Sequence, residues 1–85
     1  MTGDEIKEAR QRLGLSTAQL GIALGLGGKT ANISKMIRRI ESGDGFLTPA
    51  QSRLLVMFIR FGVPADMLDE DPNAAGRAHH VAPAD

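Results

Sequence analysis

Apolar positions in this chain recur at intervals of three and four residues and nowhere alternate with a period of two. Ile6, Ala9, Arg10 and Leu13 share one stripe of a helix over about residues 4–13, with acids in its first turn and Gly14 as its stop. Ser16-Thr17-Ala18-Gln19 reads as a capping box, serine first and glutamine three residues on. It opens a second helix that carries Leu20, Ala23 and Leu24 as far as Gly25. The run Leu26-Gly27-Gly28-Lys29-Thr30 is too rich in glycine for the middle of a helix. A third helix is expected from about Ala31 or Asn32 to Glu41, stopped by Ser42-Gly43, with Ile33, Met36, Ile37 and Ile40 inside a wedge of roughly 100°. A second capping box, Thr48-Pro49-Ala50-Gln51, has proline at the first helical position. The fourth helix it opens reaches Phe61 and ends at Gly62, and residues 63–68 suit one further short turn. The expected fold is all-α, a compact bundle of four main helices and a short fifth spanning residues 1–68.

From Asp69 onward the only bulky apolar residue is Val81. A segment of alanine, proline and charge cannot offset its own ordering entropy. Residues 69–85 are therefore expected to form a flexible acidic tail.

Eighty-five residues allow one domain, which buries only about 60 % of its unfolded surface. Cysteine is absent, which removes a disulfide framework and a thiolate metal site. Trp and Tyr are absent and Phe occurs three times, so the core must be largely aliphatic. No apolar run approaches the roughly 18–20 residues of a membrane span, and the first residues are acidic and polar, unlike a secretory signal. The expectation is a soluble cytoplasmic protein with no membrane partner.

The net charge of zero conceals an asymmetry. Residues 1–61 hold nine Lys/Arg against five Asp/Glu, a net +4, whereas residues 62–85 hold one against five, a net −4. A cationic body with an anionic tail suggests a polyanionic partner, although small folds also scatter charge by chance. Positions decide between these readings. Gly21 and Gly25 lie on one face of the second helix, and a glycine inside a helix costs about 1 kcal/mol relative to alanine. Two helices that nearly touch through a short turn, as in a helix-turn-helix, would explain Gly21. On the third helix Lys35 and Arg38 face away from the apolar wedge, with Asn32 and Arg39 on one flank and Ser34 on the other. No carboxylate interrupts this face before Glu41. Arg and Lys can read guanine edges, Asn can read adenine, and Ser and Thr contact bases or phosphates, so the face is suited to duplex DNA.

Over about residues 3–68 the chain resembles the Cro and phage-repressor-like (XRE-type) helix-turn-helix regulators. The stretch Ile6-Lys7-Glu8-Ala9-Arg10-Gln11-Arg12-Leu13-Gly14-Leu15-Ser16 looks like that family's opening helix and the start of its second. Leu20-Gly21 and Leu24-Gly25-Leu26 fit its second-helix pattern, with Gly21 where alanine is usual. Met36-Ile37-Arg38-Arg39-Ile40-Glu41-Ser42-Gly43 is similar to the end of its recognition helix and the glycine stop. The resemblance implies a sequence-specific DNA-binding regulator, a repressor acting as a homodimer, with contacts at Thr17, Ser34, Lys35, Arg38 and Arg39. Thr17 stands where the family usually has the glutamine that grips a phosphate. The stretch after Gly25 is longer than the family's turn, so residues 27–32 either extend the recognition helix or form a loop on the DNA backbone. Lys29, Thr30 and Asn32 are further contacts on either arrangement.

Three other signals carry less. Ala23 to Thr30 reads A-L-G-L-G-G-K-T, close to a phosphate-binding loop, but such a loop needs a preceding strand and a sheet. His79 and His80 are adjacent with no further histidine or cysteine, which makes no metal site. No catalytic arrangement stands out, so neither an enzyme nor a cofactor is expected. The fourth helix is apolar nearly all round: Leu54, Met57, Phe58 and Phe61 are assigned to the core. Leu55, Val56 and Ile59 are assigned to a second face that either meets a twin subunit or is covered by the turn near Met67 and Leu68. The alternative function is a helical protein-interaction module, such as an antitoxin that binds a toxin, for which the acidic tail could serve as a contact.

Overall fold

The computed structural model describes residues 1–68, and every regular element within them is helical. Helix α1 spans Gly3–Arg12, α2 Thr17–Ala23, α3 Thr30–Glu41 and α4 Pro49–Phe61, and a turn of 3-10 helix follows at Ala65–Leu68. The tail expected over 69–85 lies outside the described residues. No described helix is long and apolar enough to cross a membrane.

Local chemistry accounts for where each helix begins. Thr2, Ser16 and Thr48 accept a hydrogen bond from the backbone N–H three residues on, and Glu5, Gln19 and Gln51 reach back to the cap's own N–H. Each such cap is worth about 1 kcal/mol. The Thr2 backbone N–H, and then its hydroxyl, hold the Glu5 carboxyl below the ordinary carboxylate range. That contribution is complete at neutral pH and is lost as pH falls through the lowered pKa. Helix α3 differs: its N-cap is Lys29, which makes no side-chain capping bond.

The first three helices end alike. The Gly14 and Leu15 amides return to the Gln11 and Arg10 carbonyls, Gly25 and Leu26 to Ile22 and Gly21, and Gly43 and Asp44 to Ile40 and Arg39. This paired closure needs a left-handed residue, and Gly25 (φ 88°) and Gly43 (φ 94°) provide it on either side of α3.

Leu20, Ile33, Ile37 and Leu55 are fully buried, and Ile6, Ala9, Leu15, Ala23, Leu24, Ile40 and Phe58 complete an almost wholly aliphatic core. Residues 20–24 are all buried, because α2 packs on α3 and also on the 3-10 turn. Two glycines set the closest approaches. A Cβ on Gly21 would overlap the Ile33 γ2 methyl and come within 3.2 Å of Ile37, so α2 and α3 touch where the sequence required it. A Cβ on Gly3 would collide with the backbone of α3, 2.8 Å from the Ile40 carbonyl oxygen, so the start of α1 is seated on the end of α3.

Helix α4 corrects the expectation. Leu55, assigned above to a face for a second subunit, is fully buried, and its core partner is Phe58. Met57 and Phe61, assigned to the core, are 55 % and 78 % exposed. The helix is turned by about 70° from the expected orientation. Where a helix is apolar on every side its periodicity carries no phase, and packing against the rest of the fold chooses the inward face. Val56 and Ile59 remain exposed as expected. Val63, Met67 and Leu68 pack against the core, so the 3-10 turn covers part of the apolar surface but not those two. Met36, at the edge of the α3 wedge, is half exposed.

Candidate nucleic-acid interface

Helix α3 presents the site. It begins at Thr30, so residues 30–32 lengthen the helix, while 27–29 belong to the turn from α2. Asn32, Lys35, Arg38 and Arg39 are all exposed and span about 120° of the helix, opposite the buried Ile33, Ile37 and Ile40. Lys29 and Thr30 are exposed at its N-terminal end.

Thr17 and Ser34 behave differently. Both are half buried, and their hydroxyls hydrogen-bond to each other across the α2–α3 junction. Of the two O–H groups one is used in this bond and the other stays free to donate. Two positions assigned as separate contacts are thus one polar unit on the α2 flank of the exposed face.

Among the described residues no ion pair within the chain engages Lys29, Lys35, Arg38 or Arg39. The single carboxylate of α3 is withdrawn from this face. Glu41 is held by Arg10, whose Nε donates to its Oε2 at 2.6 Å, and the two side chains are 13 % (Arg10) and 7 % (Glu41) exposed. Sequence reasoning left this pair out, although Arg10 on an apolar stripe was the available signal, since an arginine on a core-facing position needs a partner. The result is a row of cationic and amide donors on one helix face, with no carboxylate of α3 on that face and Asp44 near Arg39 at its C-terminal end. Such a surface fits a polyanion whose groove presents hydrogen-bond acceptors.

The glycine-rich run from Ala23 to Thr30 leads out of α2 and into α3, so the strand that a phosphate-binding loop requires is replaced by a helix. No group of three His, Cys, Asp or Glu that could hold a metal occurs among the described residues, and His79 and His80 lie outside them. Away from α3, the exposed side chains Val56 (37 %), Met57 (55 %), Ile59 (46 %) and Phe61 (78 %) gather on α4. Comparison with protein-family models, with curated proteins and with solved structures gives no match.

Proposed function

We propose that this chain is a sequence-specific DNA-binding transcriptional regulator, a repressor that occupies an operator as a homodimer and resembles the XRE-type helix-turn-helix proteins. The observation that carries the reading is the exposed face of α3. Lys35, Arg38 and Arg39 project from a helix anchored on α2 at Gly21, and their one acidic neighbour on that helix is sequestered by Arg10. In this reading Lys35 and Arg38 enter the major groove and Asn32 and Arg39 meet base edges or backbone at its side. The free O–H of the Thr17–Ser34 pair donates to a phosphate, and Lys29 and Thr30 lie near the adjoining backbone.

The apolar residues left exposed on α4, Val56 and Ile59 on one side and Met57 and Phe61 on another, support self-association, because exposed apolar surface on a small domain marks an interaction site. Two copies joined there would present two α3 helices to two half-sites. The same exposed apolar residues favour the second reading, a helical module whose main partner is another protein. Duplex binding followed against salt separates the two. Each neutralised phosphate contributes about −0.9 to the slope of log K against log salt, so a steep slope is expected. Absence of duplex binding at low salt would leave the protein-partner reading standing.

A further inference from the structure

The most exposed large apolar side chain in the described residues is Phe46, at 90 %, and it stands beside the basic face rather than on α4. It lies in the connection between α3 and α4, where its posture is held from both sides. The Asp44 N–H is tied to the Arg39 carbonyl at 2.8 Å, and Gly45 sits so close to Ile40 that a Cβ there would come within 3.2 Å. On the other side Leu47 packs against the core and Thr48 caps α4. The ring is therefore displayed by an anchored connection. With the half-exposed Met36 it borders a recess of about 230 Å³ whose other walls are Arg39, Ile40, Asp44 and Gly45.

The two flanks of α3 thus differ in chemistry. On the α2 side are the hydroxyls of Thr17 and Ser34; on the opposite side, beyond Asn32 and Arg39, are the methionine and the aromatic ring; the cations run between. The recess has one charge of each sign, Arg39 and Asp44, while Lys35 and Arg38 on the adjoining face make its surroundings cationic and draw a polyanion toward it. A polyanion suits the guanidinium. The apolar group that base edges offer in the major groove is the 5-methyl of thymine.

We propose that Met36 and Phe46 form an apolar contact for thymine 5-methyl groups, making this flank of α3 a specificity element that favours thymine at one edge of the bound site. The inference rests on the DNA-binding reading given above. It adds a contact that no charged residue can make, because methyl recognition is apolar and insensitive to salt.

The test uses the full chain and a duplex selected by the protein itself from a random-sequence pool. Replacing each thymine by deoxyuridine removes the methyl groups and leaves every hydrogen-bonding edge unchanged. The wild type is expected to bind the deoxyuridine duplex about tenfold more weakly, the scale on which one such group is discriminated. Phe46→Ala should lose a similar factor on the thymine duplex and respond little to the replacement, and Met36→Ala should show the same pattern in smaller measure. Phe46 contributes nothing to the core, so thermal unfolding of Phe46→Ala should match the wild type. Equal sensitivity of wild type and Phe46→Ala to deoxyuridine would overturn the inference, as would a change in oligomeric state with methyl discrimination retained, which would assign the recess to a second copy. Tight duplex binding that ignores the methyl groups removes this inference alone; failure to bind any duplex removes the DNA reading along with it.

Discussion

The Arg10 guanidinium clasps the Glu41 carboxylate with two hydrogen bonds, Nε to Oε2 at 2.6 Å and Nη2 to Oε1 at 3.2 Å. Its remaining nitrogen, Nη1, donates to the Leu15 carbonyl at 3.0 Å. One side chain therefore joins α1, the turn that precedes α2, and the C-terminal end of α3. Removing one member of such a largely buried pair leaves an uncompensated charge, and Glu41→Gln is expected to lower stability by about 3 kcal/mol in urea unfolding. Replacing both residues by apolar ones, as in Arg10→Met with Glu41→Leu, should cost much less, because no charge is then stranded. A loss under about 1 kcal/mol for Glu41→Gln would reduce the pair to an ordinary surface contact.

Gly21→Ala offers a second check on how α3 is held. Alanine improves helix propensity by up to about 1 kcal/mol, but its methyl overlaps the Ile33 γ2 methyl, and overpacking a filled core costs about 1–3 kcal/mol. A net loss is expected, read as a lower melting temperature. Ile33→Leu removes the offending branch and should recover part of that loss. At Gly3 the obstacle is backbone, which cannot rotate away, so Gly3→Ala should be destabilising with no comparable side-chain rescue.

These two glycines mark how far the sequence could be read. Gly21 was legible because a glycine inside a helix contradicts local propensity, and a contradiction of that kind points to tertiary contact. Gly3 was not legible, because at a helix start glycine conflicts with nothing and only the position of α3 makes it necessary. The capping boxes at Ser16 and Thr48 were readable for a different reason: their chemistry is complete within four residues. The inward face of α4 depends on what it packs against, and Leu54, Leu55, Met57, Phe58 and Phe61 are equivalent until that partner is known. In the candidate site, the basic residues were legible one by one. The Thr17–Ser34 bond and the capture of Glu41 join residues 17 and 31 apart in the chain, a distance over which periodicity says nothing.

The rotation of α4 changes the experiment that probes self-association. Leu55→Glu puts a carboxylate into the core and should unfold the protein, so it reports nothing about an interface. Val56→Glu with Ile59→Glu alters only exposed positions on a helix that glutamate favours, and a folded monomer is expected by sedimentation. If the wild type already sediments as a monomer at micromolar concentration, the exposed apolar residues of α4 do not join two copies.

Base readout and backbone grip can be separated on the same surface. Arg38 lies on the exposed side of α3 with no ion pair to hold it back among the described residues, and its guanidinium can pair bidentately with a guanine edge. Arg38→Ala is expected to cost about 1–3 kcal/mol on the selected site and much less on scrambled duplex, so the ratio between them collapses. The Thr17 and Ser34 hydroxyls are hydrogen-bonded to each other. In Thr17→Ala the Ser34 hydroxyl loses its partner and becomes free to donate by itself, so the loss should be small and similar on both duplexes. The double variant Thr17→Ala with Ser34→Ala removes both hydroxyls and should weaken both duplexes further while leaving their ratio nearly unchanged. Competition binding with the selected and scrambled duplexes measures all three. Equal losses for Arg38→Ala on the two would assign its guanidinium to the phosphate backbone, and the groove-facing residues of α3 would then have to be sought nearer its N-terminal end, at Asn32 and Lys35.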